Sequence, residues 1–117
     1  MTAGETPSGT EHTLHIEHPI SDFATWRSAF ERFAPARERA GVRRHRVQRP
    51  VDDDLYVMID LDFDSAERAQ AFLQFLQREV WSTSANAPAL AGTPRTRILA
   101  LVETGGPARA SVDLTAT

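Results

Sequence analysis

The order of apolar patterns along this chain constrains its fold more than any other feature. Between Thr13 and Glu103, strand-like alternation and helix-like periodicity follow one another in the order βαββαβ. Helices in these two positions both lie on one face of a four-stranded antiparallel sheet. The other face then meets water, a ligand or a second copy of the chain. We predict one α+β domain over residues 12–103, between tails at 1–11 and 104–117.

The first predicted helix carries an aromatic stripe. It follows a strand that ends at Pro19, and its large apolar residues recur at helical spacing: Phe23, Trp26, Phe30 and Phe33. Pro35 should kink this helix or end its first segment, because its ring clashes with the preceding turn and it has no N–H to donate. Gly41 is the expected C-cap. A basic second strand is predicted over residues 42–48.

The third strand has the clearest alternation in the chain. We expect its apolar set to face the helices: Leu55, Val57, Ile59, Leu61 and Phe63. A second helix is predicted over residues 66–81 and a last strand over residues 95–103. In the C-terminal tail, Val112 and Leu114 could add a short strand or an arm over a partner. Strands and helices in this order indicate a ferredoxin-like sheet.

Composition argues against several classes of function. The chain has 13 basic and 16 acidic residues, for a net charge of -3, which argues against a dedicated binder of nucleic acid or anionic membranes. It has no cysteine, so disulfides, thiolate nucleophiles and cysteine–metal sites are excluded. No run approaches the roughly 18 apolar residues that a membrane span needs, and the N-terminus lacks the features of a signal peptide. We predict a cytoplasmic protein.

The sheet face without helices is predicted to be half apolar and half charged. In a ferredoxin-like order the first and third strands are central, which places His15 and Glu17 beside Tyr56 and Asp60. The apolar side chains on this face would form a large exposed patch on a monomer: Tyr56, Met58, Leu99 and Leu101. We therefore expect a homodimer through this face.

Three stretches of the chain resemble the dimeric α/β-barrel superfamily, in which two ferredoxin-like subunits pack sheet against sheet. They are Ile20–Phe30, Ala40–Val47 and Ser65–Leu73. The resemblance covers everything but the tails and rests mostly on packing and capping residues. The superfamily includes antibiotic biosynthesis monooxygenases that need no cofactor, polyketide cyclases, muconolactone isomerases, haem-degrading enzymes and many proteins with no assigned activity. The resemblance therefore implies a fold, a dimer and a choice of several activities.

The open sheet face offers one set of candidate catalytic residues. His15, supported by Glu17 and Asp60, could act as a general base on an acidic phenol or enol. The alternative is a hydrogen-bonded histidine at a subunit interface. Tyr56 could donate a hydrogen bond to a developing enolate, or could simply pack at the dimer contact. The candidate catalytic residues on this face are thus His15, Tyr56 and Asp60.

The resemblance also implies a pocket between the helices and the sheet, where proteins of this superfamily often bind flat aromatic molecules. Four aromatic residues are candidates to bind a ligand there: Trp26, Phe30, Phe72 and Trp81. His18, at the end of the first strand, is a further catalytic candidate because it could supply a polar group at the mouth of the pocket. Asn86 or Ser84 could reach it from the loop after the second helix. The alternative is that the aromatic residues only fill the core or its rim.

The histidines and arginines do not indicate a metal, haem or nucleic acid. His12 and His18 share a face of the first strand but lie about 20 Å apart, whereas zinc ligands lie roughly 2.1 Å from one point. His15 points the opposite way. The second helix has no histidine, unlike haem-degrading relatives, and an RNA-binding sheet would need aromatic residues on both central strands. We predict no bound cofactor and no metal.

Two functions of different class stay open. One is a small enzyme or binding protein for a hydrophobic aromatic or polyketide-like molecule, acting by proton abstraction as a cofactor-independent monooxygenase or cyclase. The other is a non-catalytic dimeric module. A cavity with His18, Trp26 and Trp81 on its walls would favour the first function, and a filled core would favour the second.

Overall fold

The computed structural model describes residues 11–107 and contains one four-stranded antiparallel sheet. Its strands, in the spatial order β2-β3-β1-β4, are β1 His12–Pro19, β2 Arg44–Gln48, β3 Tyr56–Phe63 and β4 Arg95–Ala100. The helices are α1 Phe23–Arg32, α2 Ala34–Ala40 and α3 Ala66–Phe75, and α3 continues into a π-helical turn at Leu76–Val80. This is the ferredoxin-like order predicted from the sequence. Most of the two predicted tails, including Val112 and Leu114, lies outside the described residues.

Local sequence signals explain where the helices begin and end. Asp22 caps α1, since its carboxylate accepts the backbone N–H of Thr25 at 2.8 Å. Pro35 ends the first helical segment as expected, because it occupies the first turn of α2, where its missing N–H costs nothing. Gly41 ends α2 with φ of 90°, a left-handed conformation that glycine adopts without strain. Ser65 caps α3 by accepting the N–H of Arg68.

Three predicted boundaries were wrong. Leu55 was expected to be buried in the third strand, but it precedes β3 and is 49% exposed. Its N–H bonds the carboxylate of Asp53 at 3.0 Å, so it belongs to the turn that leads into the strand. The last strand ends at Ala100 instead of residue 103, and Val102 is 91% exposed. The second strand begins at Arg44, two residues later than expected.

The second predicted helix is not regular to its end. The N–H of Trp81 bonds the carbonyl of Leu76 at 2.8 Å, five residues back, which is the π-helical pattern. The wider turn leaves Leu76 and Val80 both buried, with Trp81 beside them at the edge of the core. The sequence predicted an uninterrupted helix here, because apolar spacing alone does not separate an α-helical turn from a π-helical one.

The register of the sheet divides its side chains cleanly between two faces. Leu14 and Ile16 of β1 pair with Leu61 and Ile59 of β3, and these four side chains are buried under the helices. Burying each such side chain contributes about 1.5–3 kcal/mol. The alternate residues of the same strands face away from the helices. Among the described residues, no helix is long and apolar enough to cross a membrane.

Candidate functional site

A largely apolar cavity lies between the helices and the covered face of the sheet. The volume that is open to the centre of a water molecule is about 80 Å³. The total space between the atoms, including the open mouth of the cavity, is about 630 Å³. Sheet residues Ile16, Ile59 and Leu61 line one side. The opposite side is aromatic and aliphatic: Trp26, Phe30, Phe33, Phe72, Leu76, Val80 and Trp81. The four aromatic residues predicted to bind a ligand are thus brought together on one cavity.

The aromatic stripe of α1 forms a stack, of which Trp26 and Phe30 line the cavity. The Trp26 ring lies 5.8 Å from the Phe23 ring and 4.9 Å from the Phe30 ring, with interplanar angles of 28° and 20°. The helical spacing of the three residues produces this order. Trp26 is 9% exposed, so it serves both the core and the cavity wall. Trp81 is only half-buried, at the edge of the core.

His18 is a buried polar group on the cavity wall. Its position in β1 places it opposite Val57 on the covered face, and it is 3% exposed. The Nδ1 atom lies 2.9 Å from the carbonyl oxygen of Pro19. Because that oxygen can only accept, Nδ1 carries the proton and Nε2 has a lone pair. Burial lowers the pKa of His18, against the smaller effect of the Pro19 carbonyl. The ring is therefore a neutral imidazole near pH 7, the form that acts as a general base.

Arg37 is a second buried polar group on the cavity wall, and it was not among the candidates predicted from the sequence. It is 8% exposed, its Nη1 donates to the carbonyl of Phe30 at 2.7 Å, and its guanidinium carbon lies 3.7 Å from the centre of the Phe30 ring. Burial lowers the pKa of Arg37, against the field of Glu31. A signal was present, because Phe30, Phe33 and Arg37 follow helical spacing. The break at Pro35 obscured it.

The loop after the π-helical turn covers one end of the cavity. Asn86 lines the cavity and donates its side-chain amide to the carbonyl of Glu79 at 2.7 Å. Leu90 pairs with Ile20, which ties the loop to the end of β1. The lining also includes Ala87, Pro88 and Ala89. Ser84, the other polar residue considered for this loop, is exposed and lies outside the lining.

The other candidate catalytic residues lie on the opposite side of the sheet. His15 bridges two carboxylates, with Nδ1 2.7 Å from Asp60 and Nε2 2.9 Å from Glu17. Tyr56 donates its hydroxyl to Glu17 at 2.8 Å, and Arg46 bonds the second oxygen of Asp60 at 2.9 Å. We call these five residues the open-face network. None of them contacts the cavity among the residues that the structure describes, so the candidates form two separate groups.

The open-face network is arranged for charge pairing more than for proton transfer. Burial works to lower the pKa of His15, but the hydrogen bonds and charges of Asp60 and Glu17 outweigh it, and the pKa of His15 is raised. The hydrogen bond from His15, with a smaller one from Tyr56, lowers the pKa of Glu17. Glu17 in turn raises the pKa of Tyr56. With both ring nitrogens occupied, His15 has no lone pair for substrate, which favours the interface alternative.

The histidines do not converge on a metal-binding geometry. Within residues 11–107, no three histidine, aspartate or glutamate side chains are arranged to hold an ion. His15 and His18 face opposite sides of the sheet, as the alternation of β1 requires.

Comparison with known proteins identifies the fold. No family model matches the chain, and no curated protein sequence matches it either. Among solved structures, it is similar to SnoaB, a cofactor-independent oxygenase from Streptomyces nogalater, with a TM-score of 0.64, 20% identity, and coverage of 81% of this chain and 96% of that one.

Two further structures are similar over most of their length. One is a protein from Nitrosomonas europaea provisionally named an antibiotic biosynthesis monooxygenase, with a TM-score of 0.59, 15% identity, and coverage of 83% of this chain and 96% of that one. The other is a dimeric ferredoxin-like protein from an uncultured marine organism, with a TM-score of 0.59, 10% identity, and coverage of 88% and 97%. The chain therefore has the same ferredoxin-like fold as these proteins.

Proposed function

We propose that the protein binds a flat, largely apolar aromatic or polyketide-like molecule in the cavity and acts on it without a bound cofactor, as a monooxygenase or cyclase. The observation that carries this proposal is the neutral imidazole of His18, which has a lone pair on Nε2 and belongs to the lining of an apolar, aromatic-walled cavity. The fold shared with a cofactor-independent oxygenase is consistent with it.

The proposed chemistry begins with one proton transfer. Nε2 of His18 accepts a proton from an acidic phenol or enol, and the electron pair of the broken O–H bond stays on the substrate oxygen. The resulting enolate is the electron-rich species that an oxygenation or a cyclisation consumes. The aromatic walls supply contact area and orientation, while His18 supplies the base.

The size of the cavity limits what binds without rearrangement. The volume of about 80 Å³ that is open to the centre of a water molecule holds about five to eight waters, since each needs about 10–15 Å³ by this measure. A ligand of two or three fused rings must therefore extend into the mouth or displace the loop that includes Asn86. Because Trp81 is half-buried and parts of this loop are exposed, they can move aside for a larger ligand more easily than the buried lining can.

We also propose that two subunits pair through the open sheet face. Tyr56, Met58 and Leu99 supply apolar area there, and Leu99 is 43% exposed in the single subunit. The open-face network pairs its charges within one subunit, so burying it would leave no lone charge. A protein of the same fold is described as dimeric. The absence of cysteine keeps the cytoplasm as the predicted location.

A second candidate function is a non-catalytic dimeric module. The small volume of the cavity favours it, because ligand pockets for drug-sized molecules are usually about 300–1,000 Å³. In that case the cavity is a packing defect, and His18 is a core histidine whose Nδ1 bonds a backbone carbonyl.

The experiment that separates the two candidates is a binding titration with hydroxylated aromatics of one to three rings. Quenching of tryptophan fluorescence reports binding beside Trp26 and Trp81. We expect saturable binding that His18→Ala weakens and His15→Ala leaves unchanged, since the second histidine is on the same strand but on the other face. Absence of binding at hundreds of micromolar across the panel, with all variants folded by circular dichroism, would leave only the non-catalytic module.

A further inference from the structure

We infer that the ligand of the cavity carries an anionic oxygen group and that Arg37 binds it. This inference rests on the proposed function, because it assumes that the cavity holds a ligand, and it narrows the class of that ligand. A carboxylate is the group that best matches the planar fork of a guanidinium. An ionised phenol or enol offers the same charge on one oxygen.

Arg37 is a buried cation whose charge is only partly paired. Buried arginines are normally paired with a carboxylate, because an unpaired buried charge is costly. Arg37 is 8% exposed, yet no carboxylate within residues 11–107 forms a salt bridge with it. Glu31 acts on Arg37 only through its field, and this effect is smaller than that of burial. Of the five N–H groups of a guanidinium, one bonds the carbonyl of Phe30. The nitrogens of Arg37 that have no protein partner within the described residues are accessible and not sealed in the core, so a ligand can reach them. The face over the Phe30 ring is also occupied, but an aromatic ring compensates a charge only in part.

Arg37 also determines the charge of the cavity lining as a whole. Among the described residues that line it, none is acidic, His18 is neutral and Asn86 is uncharged, so Arg37 is the one full charge. Apolar walls keep the local dielectric low, so the positive potential of Arg37 extends further than it would in water. An anionic ligand is stabilised there, and a cationic one is disfavoured.

Arg37 also has a structural role, and the experiment must separate the two. The carbonyl of Phe30 is one of the last of α1, and it accepts both the backbone N–H of Phe33 at 3.2 Å and Nη1 of Arg37 at 2.7 Å. That role uses a single donor, which the side-chain amide of glutamine or the ammonium of lysine could supply. Arg37→Gln therefore keeps a possible cap and removes the charge, and Arg37→Lys keeps both a donor and the charge.

The test compares two probes of nearly equal shape and different charge, 2-naphthoate and 2-naphthamide, at neutral pH. We expect the native protein to bind the naphthoate at least about tenfold more tightly, as a charge-assisted hydrogen bond implies. In Arg37→Gln the ratio of the naphthoate affinity to the naphthamide affinity should fall to near one, and the naphthamide affinity itself should change little. Arg37→Lys should retain part of the preference. Benzoate and benzamide serve as the matched single-ring pair if two rings exceed the cavity.

Each outcome decides a different point. Equal binding of both probes by the native protein would overturn the inference and leave the proposed function intact. Equal loss of both probes in a folded Arg37→Gln variant would show a structural role only and would also overturn it. Failure of every probe to bind the native protein would overturn the proposed function together with the inference. If Arg37→Gln does not fold, the inference is tested by two results: tighter binding of the naphthoate than of the naphthamide by the native protein, and retention of part of that preference in Arg37→Lys. Loss of either result would overturn the inference.

Discussion

The two faces of the sheet put the same residue type into opposite chemical states. His15 and His18 lie on one strand, three positions apart, and alternation turns them to opposite sides. On the open face, two carboxylates raise the pKa of His15 and occupy both of its nitrogens. On the covered face, burial lowers the pKa of His18 and leaves Nε2 with a lone pair. Environment, and not residue type, separates a candidate base from an ion-pair partner.

The two faces of the sheet also differ as whole surfaces. The open-face network pairs its charges among its own side chains, which suits contact with a second subunit. The covered face joins an apolar cavity to two buried polar groups, His18 and Arg37, whose donors and acceptors are only partly used within the described residues. Chemistry is therefore expected on the covered face, and association on the open face.

The largest expected effect concerns association. Replacing Leu99 and Leu101 with glutamate places four unpaired charges in the proposed dimer interface, and each buried unpaired charge costs several kcal/mol. We expect the dissociation constant to rise at least about 1,000-fold, which corresponds to about 4 kcal/mol. Analytical ultracentrifugation at micromolar concentration would show monomers with native circular dichroism. Leu55→Glu, an exposed leucine in the turn before β3, is the control and should leave the mass unchanged. A native protein that sediments as a monomer would refute the dimer.

The next largest effect is the loss of stability when a buried side chain on the covered face is truncated. Leu61 is 1% exposed, so Leu61→Ala should lower the free energy of unfolding by about 2–5 kcal/mol through lost burial and a new cavity. Leu55→Ala, at a half-exposed position, should cost less than about 1 kcal/mol. Urea unfolding of both variants at one protein concentration measures the difference. Similar losses of unfolding free energy in Leu61→Ala and Leu55→Ala would contradict the exposure of Leu55 in the structure.

A smaller effect is the contribution of His18 to stability in mild acid. Its folded pKa lies below that of the unfolded chain, so the unfolded state binds the proton first as the pH falls below about 6.5. Stability should therefore decrease from pH 6.5 downwards until the folded pKa is reached. His18→Leu should flatten this part of the curve of unfolding free energy against pH, while His15→Gln should not. A curve of unchanged slope in His18→Leu would mean that His18 is not held neutral.

The smallest effect is the contribution of His15, and it has the opposite sign. Its folded pKa is raised, so the stabilisation is complete below the unfolded value of about 6.5 and is lost as the pH rises through the folded pKa. We expect less than about 1 kcal/mol, as for other ion pairs near a surface. His15→Gln should remove this loss between neutral and mildly alkaline pH, measured in the monomeric Leu99→Glu, Leu101→Glu background. A stability that rises over this range in that background would contradict the charge pairing of His15.

Sequence patterns predicted the division between the faces better than they predicted the site. Alternation in β1 and β3 placed His15, Tyr56 and Asp60 together on one face, because a strand has only two sides. The spacing of Trp26 and Phe30 likewise placed both on the inner side of α1. These are properties of one element at a time, and they are legible in the order of residues.

What the sequence did not reveal depends on contacts between elements. Arg37 looks like a solvated residue of a short charged helix, and only the packing of α2 beside α1 buries it over Phe30. The π-helical turn depends on a single shifted hydrogen bond at Trp81. Leu55 matches the alternation of β3 but precedes the strand, in a turn where a backbone bond to Asp53 decides its position.

The most direct test of this account is to map which face of the sheet a ligand contacts. Titration of isotopically labelled protein with 2-naphthoate, followed by nuclear magnetic resonance, reports on both faces in one experiment. We predict shifts at the indole N–H groups of Trp26 and Trp81 and at the ring of His18, with the ring of His15 unmoved. Shifts confined to His15 and Tyr56, or no shifts at saturating concentrations, would contradict a ligand site on the covered face.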